Sequence, residues 1–253
     1  MFRSLALLLA LALPARPQVS IENAGKPMHI SFECTGADMQ ASGLSCSEEE
    51  PCPIYVELAS IDAVGNKLFL PGNLHTPTTT VSSILLATED AGKTWSEPHP
   101  RIRSAGLDQI QFIDFQNGWI SGANLQGAPR DPFLLLTTDG GKTWRQRPIY
   151  EDSRLGVIER FWFDSPQEGT MLVDARLESN VHELYETRTG GETWSLRQAS
   201  ADPIRFPRSP KSGSSGWRIR ADAATSSYAV EKSDGQRWQK VASFLVRAGT
   251  CKQ

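Results

Sequence analysis

The chain has 253 residues, 39% of them hydrophobic and 22% charged, with a formal net charge of −3. That length holds one large all-β domain or two small ones, and the composition is that of an ordinary globular protein. The slightly acidic balance excludes the strongly basic footprint of a nucleic-acid-binding domain.

In chain order, Met1–Ala15 reads as a secretory signal peptide. Arg3 is its positive start and Leu5–Leu13 its apolar run, too short for the roughly 20 residues that span a bilayer. A secreted or periplasmic location follows as an expectation. Residues 16–52 form an N-terminal segment in which Met28–Glu33 alternates like a strand. The segment carries Cys34, Cys46 and Cys52, and the fourth cysteine is Cys251. An even count behind a signal peptide reads as two disulfides, with three possible connectivities. The favoured pairing is Cys46–Cys52 as a local loop, with Cys34–Cys251 tying the ends together. The cysteines lack close paired spacing and the four histidines are scattered, so no metal and no cofactor is expected.

From residue 53 onward the chain repeats. Thr137-Thr138-Asp139-Gly140-Gly141-Lys142-Thr143-Trp144 follows the apolar run Phe133–Leu136 and precedes a polar strand. Asp caps the turn's N–H groups and Gly takes the positive φ, so the order reads strand, tight turn, strand. A second copy holds Asp90, Gly92, Thr94 and Trp95. A third holds Gly191, Thr193 and Trp194, with Thr189 where the Asp is expected. A worn fourth keeps Gly235 and Trp238, with its Asp displaced by one position. The four tryptophans recur at about 50 residues, shortening at the last, which is a repeat period. Ahead of each turn lies a strand, a polar turn and another strand. The clearest case is Ile110–Asp114 followed by Gly118-Trp119-Ile120-Ser121. The fourth unit opens with Pro203–Phe206 and a Ser/Gly/Pro-rich surface loop, Pro207 to Gly216. About four short strands per unit is the size of a propeller blade. The fold class is therefore all-β: a small β-propeller of four, or five, four-stranded blades. The four blades are expected near 53–100, 101–150, 151–200 and 201–247, within a domain over 53–253.

The pattern Ser/Thr-x-Asp-x-Gly-x-Thr-Trp resembles the Asp-box repeat of sialidase-type propellers and of photosystem II stability and assembly factors. Gly118-Trp119 ahead of the box is closer to the assembly-factor group. The resemblance covers roughly residues 53–247 and implies that the box residues are structural, on each blade's outer hairpin. It does not by itself carry a function.

Catalytic chemistry is hard to find. A sialidase-like hydrolase needs an arginine cluster for a carboxylate, a Tyr–Glu nucleophile and an Asp acid, and the family's Arg-Ile-Pro stretch is missing before Thr88. Tyr185 has Glu183 and Glu186 nearby, but no paired-carboxylate site can be read. No catalytic residue is assigned. Arg101, Arg103, Arg160, Arg205 and Arg208 recur near the starts of blades and form a candidate basic pocket for an anionic ligand or acidic peptide. The reading that follows is an exported, non-enzymatic scaffold for a protein or glycan partner. A degenerate sialidase-like glycoside hydrolase is the alternative, and a self-associating structural envelope protein a third. An acidic–aromatic constellation converging on the channel would mark the enzyme.

Overall fold

The computed structural model describes residues 20–206 and 216–252. The expected signal peptide, the loop from Pro207 and Arg208 lie outside them. Four antiparallel blades follow one another. Blade one has an inner strand broken into Cys52–Leu58 and Asp62–Val64, then Lys67–His75, Thr80–Thr88 and the short outer strand Thr94–Trp95. Ser96 bridges back to Ala87. Blade two is Ala105–Phe112, Gly118–Asn124, Arg130–Thr137 and Arg145–Pro148. Blade three is Val157–Phe163, Gly169–Asp174, His182–Thr187 and Ser195–Ser200. Blade four has three described strands, Trp217–Asp222, Ser227–Ser233 and Trp238–Leu245. Its expected first strand, Pro203–Phe206, forms no ladder with the other described residues. Prolines at 203 and 207 bracket it, and each removes a ladder donor and fixes φ.

The two ends of the chain stitch blade four to blade one. Arg247–Cys251 leaves blade four and pairs antiparallel with Cys52–Leu58, and Phe32–Glu33 lies parallel on its other side. Met28 bonds across Ser243 and Leu245 of blade four, while Ile21–Glu22 caps the outer edge of blade one. The expected strand Met28–Glu33 is thus reduced to Phe32–Glu33 and a bridge at Met28. A helix, Gly36–Ser42, follows. Its signal was in the sequence: Thr35 and Asp38 form a capping box and Gly43 closes the helix in the left-handed conformation. Disulfides join Cys34 to Cys251 and Cys46 to Cys52.

The core follows from strand alternation. On Lys67–His75, Leu68, Leu70 and Leu74 face blade four, and Phe69 faces blade two. Trp119, Leu134 and Leu136 carry the second face of blade two into blade three, against Phe161, Phe163 and Met171. Three apolar clusters therefore set the spatial order four, one, two, three. Among the described residues no such cluster joins blade three to blade four.

The joints repeat. The ring of Phe69 sits where a Cβ on Gly141 of the next blade would be. In the corresponding place Trp119 stacks on Phe163, with centroids 3.7 Å apart and planes 5° apart, and donates Nε1–H to Gly190 O at 2.8 Å. The equivalent position of blade three is Thr170, and Gly235 of the fourth turn has open space beside it. The aromatic joint is missing from both sides of that junction.

Candidate functional site

The Asp boxes and a cavity lined by the inner strands lie at opposite ends of the blades, and a larger hollow of about 510 Å³ sits at the box end against Trp95 and Lys142. In blade two, Phe112, Gly118 and Thr137 share one end, and Ala105, Asn124 and Arg130 share the other. The box turn begins at Thr137.

Each of the first two boxes is a closed set of hydrogen bonds. Lys93 N and Thr94 N donate to Asp90 Oδ1 at 3.0 and 2.9 Å, and the Thr94 and Thr88 hydroxyls donate to the same carboxylate at 2.7 Å each. Trp95 Nε1 donates to Gly92 O at 3.1 Å. Asp139, Thr143, Gly141 and Trp144 repeat the set with matching distances. Burial alone would raise these two carboxyls. The hydrogen bonds outweigh it and hold both at a pKa of about 2. In the third box the Thr189 hydroxyl replaces the carboxylate, accepting from Thr193 N at 3.0 Å, and Gly191 N bonds Thr187. Trp194 Nε1 is left buried without a partner. In the fourth, displaced Asp234 accepts from Gln236 and Arg237, and Trp238 stays 41% exposed beneath the guanidinium of Arg218. The first two turns are saturated with internal bonds, which is structural chemistry.

At the other end, the inner strands of blades one, two and three meet around a cavity of about 270 Å³. Leu107, Leu125, Val157 and Ile158 make its apolar floor, and Glu57 and Asp108 stand at its edge. Asn73 ties the walls together: Nδ2 donates to Glu57 Oε2 at 3.2 Å and Oδ1 accepts from Leu107 N at 2.9 Å. Burial, and then the charge of Glu57, push the Asp108 carboxyl up. Tyr228 of blade four is raised by burial and again by Glu57. Tyr55 and His75 extend this wall, with ring centroids 6.0 Å apart. Neither carboxylate had been singled out from sequence. They sit in different blades, and only an alignment of the inner strands would have placed them together.

The candidate arginines are not brought together. Arg101 forks onto Glu97, at 2.8 Å through Nε and 2.6 Å through Nη2, and also reaches Ser31 O. Arg103 Nε meets the buried Asp38 at 2.6 Å, fastening the short helix to the start of blade two. Arg160 is exposed on the face of blade three turned away from blade two, and Arg205 is exposed beyond that blade. Glu97 captures the first and Asp38 the second, so the described residues form no basic pocket from this set.

A Tyr–Glu pairing does exist. Tyr150 and Tyr185 both donate to Glu183 Oε2, at 2.8 and 2.6 Å, and Arg154 Nη2 reaches Oε1 at 3.1 Å. Sequence reasoning set Glu183 aside together with Glu186 as a neighbour facing the opposite side, but Glu183 and Tyr185 are two apart on one strand and share a face. Burial and the bond to Glu183 raise both phenols, that of Tyr185 to about 12. A nucleophile needs the opposite shift. The cluster holds the segment after blade two onto the third strand of blade three. Among the described residues no group of His, Cys, Asp and Glu has metal-binding geometry, and no helix is long and apolar enough to cross a membrane.

No family model matches the chain. A curated relative is the photosystem II assembly lipoprotein Ycf48 of Synechococcus sp. (strain CC9902), 29% identical over 136 residues. The match takes in 50% of this chain and 35% of that protein, so the chain spans about a third of the relative's length. Among solved structures, one titled "YCF48 bound to D1 peptide" aligns with a TM-score of 0.43 at 19% identity, covering 90% of this chain and 59% of that one. A polysaccharide lyase of family PL25, an ulvan lyase, aligns at 0.39 and 10% identity, covering 79% and 53%. Blades and joints together make the chain a small β-propeller, similar in sequence over half its length to Ycf48.

Proposed function

We propose that the chain is an exported, non-enzymatic propeller that holds a protein partner in the groove where the inner strands of blades one to three meet. The observation that carries this reading is the apolar floor of Leu107, Leu125, Val157 and Ile158, opened at the end of the blades away from the saturated Asp boxes. Clefts of this kind, lined by apolar side chains with a few polar groups, are where propeller-like scaffolds take ligands. The relative Ycf48 is by its name an assembly lipoprotein, which favours holding over chemistry. The raised phenols of Tyr150 and Tyr185 also argue against a nucleophile of the sialidase kind. Export rests on the reading of Met1–Ala15 and on two disulfides, which persist in oxidising compartments.

The test is site-specific photo-cross-linking with the oxidised, leader-free chain in the exported fraction of its own organism. Cross-linkers at Val157 and Leu125 are expected to capture one dominant protein, while one at Phe115, exposed at the box end, captures none. Capture from Phe115 alone overturns the reading.

A second reading keeps one specific support. Glu57 and Asp108 share the groove edge, burial and then Glu57 push the Asp108 carboxyl up, and two neighbouring carboxyl groups are what glycoside hydrolysis uses. Glycans retained by the chain and shortened on incubation, with the loss of both effects in Asp108→Asn, would establish it in place of the first.

A further inference from the structure

The groove is amphipathic in a way that selects its occupant. Its floor is apolar, and the groups at its edge are two carboxylates from different blades. Among the described residues no cation stands within ion-pair distance of either Glu57 or Asp108. Elsewhere the fold neutralises its well-placed acids. Asp38 has Arg103, Glu183 has Arg154, Glu231 has Arg218 and Arg220, and Glu192 has Arg145 and Arg147. Among the described residues Asp90, Asp139 and Asp62 have no cation but are held by N–H and O–H donors; the groove pair has neither a cation nor such a set of donors, and its negative potential is felt by its neighbours. The Asp108 carboxyl, by burial and then Glu57, and the Tyr228 phenol, by the same two causes, are both held toward their uncharged forms. Glu57 is also fixed in place, by Asn73, at 3.2 Å. Complementary charge across an interface sets register and specificity more than raw affinity.

We infer that the groove takes an extended segment of a partner protein in which a Lys or Arg side chain lies between Glu57 and Asp108 while its apolar neighbours rest on Leu107, Leu125 and Val157. This inference depends on the groove being the binding site, as proposed above, and names the chemistry of what it binds. It reverses the expectation of an anionic ligand: of the arginines that suggested one, Arg101 pairs with Glu97 and Arg103 with Asp38, Arg160 and Arg205 are dispersed, and the groove itself is acidic.

The experiment is affinity selection of a positional-scanning library of free ten-residue peptides on the immobilised, oxidised full chain. Selected peptides are re-measured against Glu57→Gln, Asp108→Asn and the double variant. Both side chains are exposed, so the variants are expected to keep the parent's thermal midpoint, checked by circular dichroism. Lys or Arg is expected at one fixed position flanked by apolar residues. Replacing it with acetyl-lysine, or introducing either single variant, is expected to weaken binding roughly tenfold, and added salt to weaken it further. Peptides selected without a positioned cation, or bound equally by the double variant, overturn this inference while leaving the groove as a site. Peptides whose cross-links fall outside the groove overturn both readings.

Discussion

Gln111 of blade two grips the backbone of Phe163 in blade three as a neighbouring strand would. Its Nε2 donates to Phe163 O at 2.8 Å, and its Oε1 accepts from Phe163 N at 2.8 Å. Gln109 makes the same pair of bonds with Phe161, and Asp62 of blade one accepts from Phe112 N at 2.6 Å. Side chains on the inner strands thus supply the ladder that adjacent blades cannot share directly.

Because Gln111 is buried, Gln111→Leu is expected to leave one donor and one acceptor of Phe163 unpaired out of water. A loss of about 2–4 kcal/mol in urea unfolding follows. Gln111→Glu is expected to lose at least as much, since a buried carboxylate still accepts from Phe163 N but faces Phe163 O with no hydrogen to donate. Equal stability of Gln111→Leu and the parent would show that the clasp adds nothing.

The Asp boxes make the fold acid-sensitive in a defined window. Asp90 and Asp139 are held near a pKa of about 2, below the 3.8 of the unconstrained group. The unfolded chain therefore takes up protons first as pH falls. The stabilisation from each carboxylate is complete above about pH 4 and lost between there and pH 2. The Asp90→Asn, Asp139→Asn double variant is expected to be less stable at pH 7 and to show a shallower decline from pH 4 to 2. Parallel curves for the variant and its parent would exclude the boxes as the source.

The two disulfides should contribute unequally. Cys34–Cys251 closes a sequence separation of 217 residues, and Cys46–Cys52 one of 6. In the loop-entropy model the first contributes roughly 5 kcal/mol or slightly more and the second roughly 2. Cys34→Ser with Cys251→Ser is expected to lower the thermal midpoint more than Cys46→Ser with Cys52→Ser. The reverse order would place the stabilisation in the local loop and not in the joined ends.

The parts of the fold written in local chemistry were readable. Asp-x-Gly-x-Thr-Trp fixes its own turn through bonds that span four or five residues, so Asp139 and Trp144 announce the blade wherever they occur. Parts that depend on distant pairing were not. Arg103 reads as a channel residue until Asp38, which lies on a different segment, takes it. Glu57 and Asp108 lie on the inner strands of different blades, and the extra residue that bends the strand at Ala59–Ile61 recurs at Asp108–Gln109, so their approach depends on how blade two packs on blade one. The fourth unit had the right residues for a strand at Pro203–Phe206, but its prolines cannot join a ladder. The absence of an apolar joint between Thr170 and the fourth turn depends on two positions that are each unremarkable alone.

The bond from Cys34 to Cys251 also sets a schedule. A chain that emerges amino end first presents Cys34, Cys46 and Cys52 long before Cys251, and the strand that carries Cys251 is the one that lies beside Cys52. During that interval Cys34 has two wrong partners within reach and its right one still to come. Early closure of the Cys46–Cys52 loop removes both wrong partners at once. The small loop, minor in the stability of the finished molecule, therefore acts as a guard on the order of oxidation.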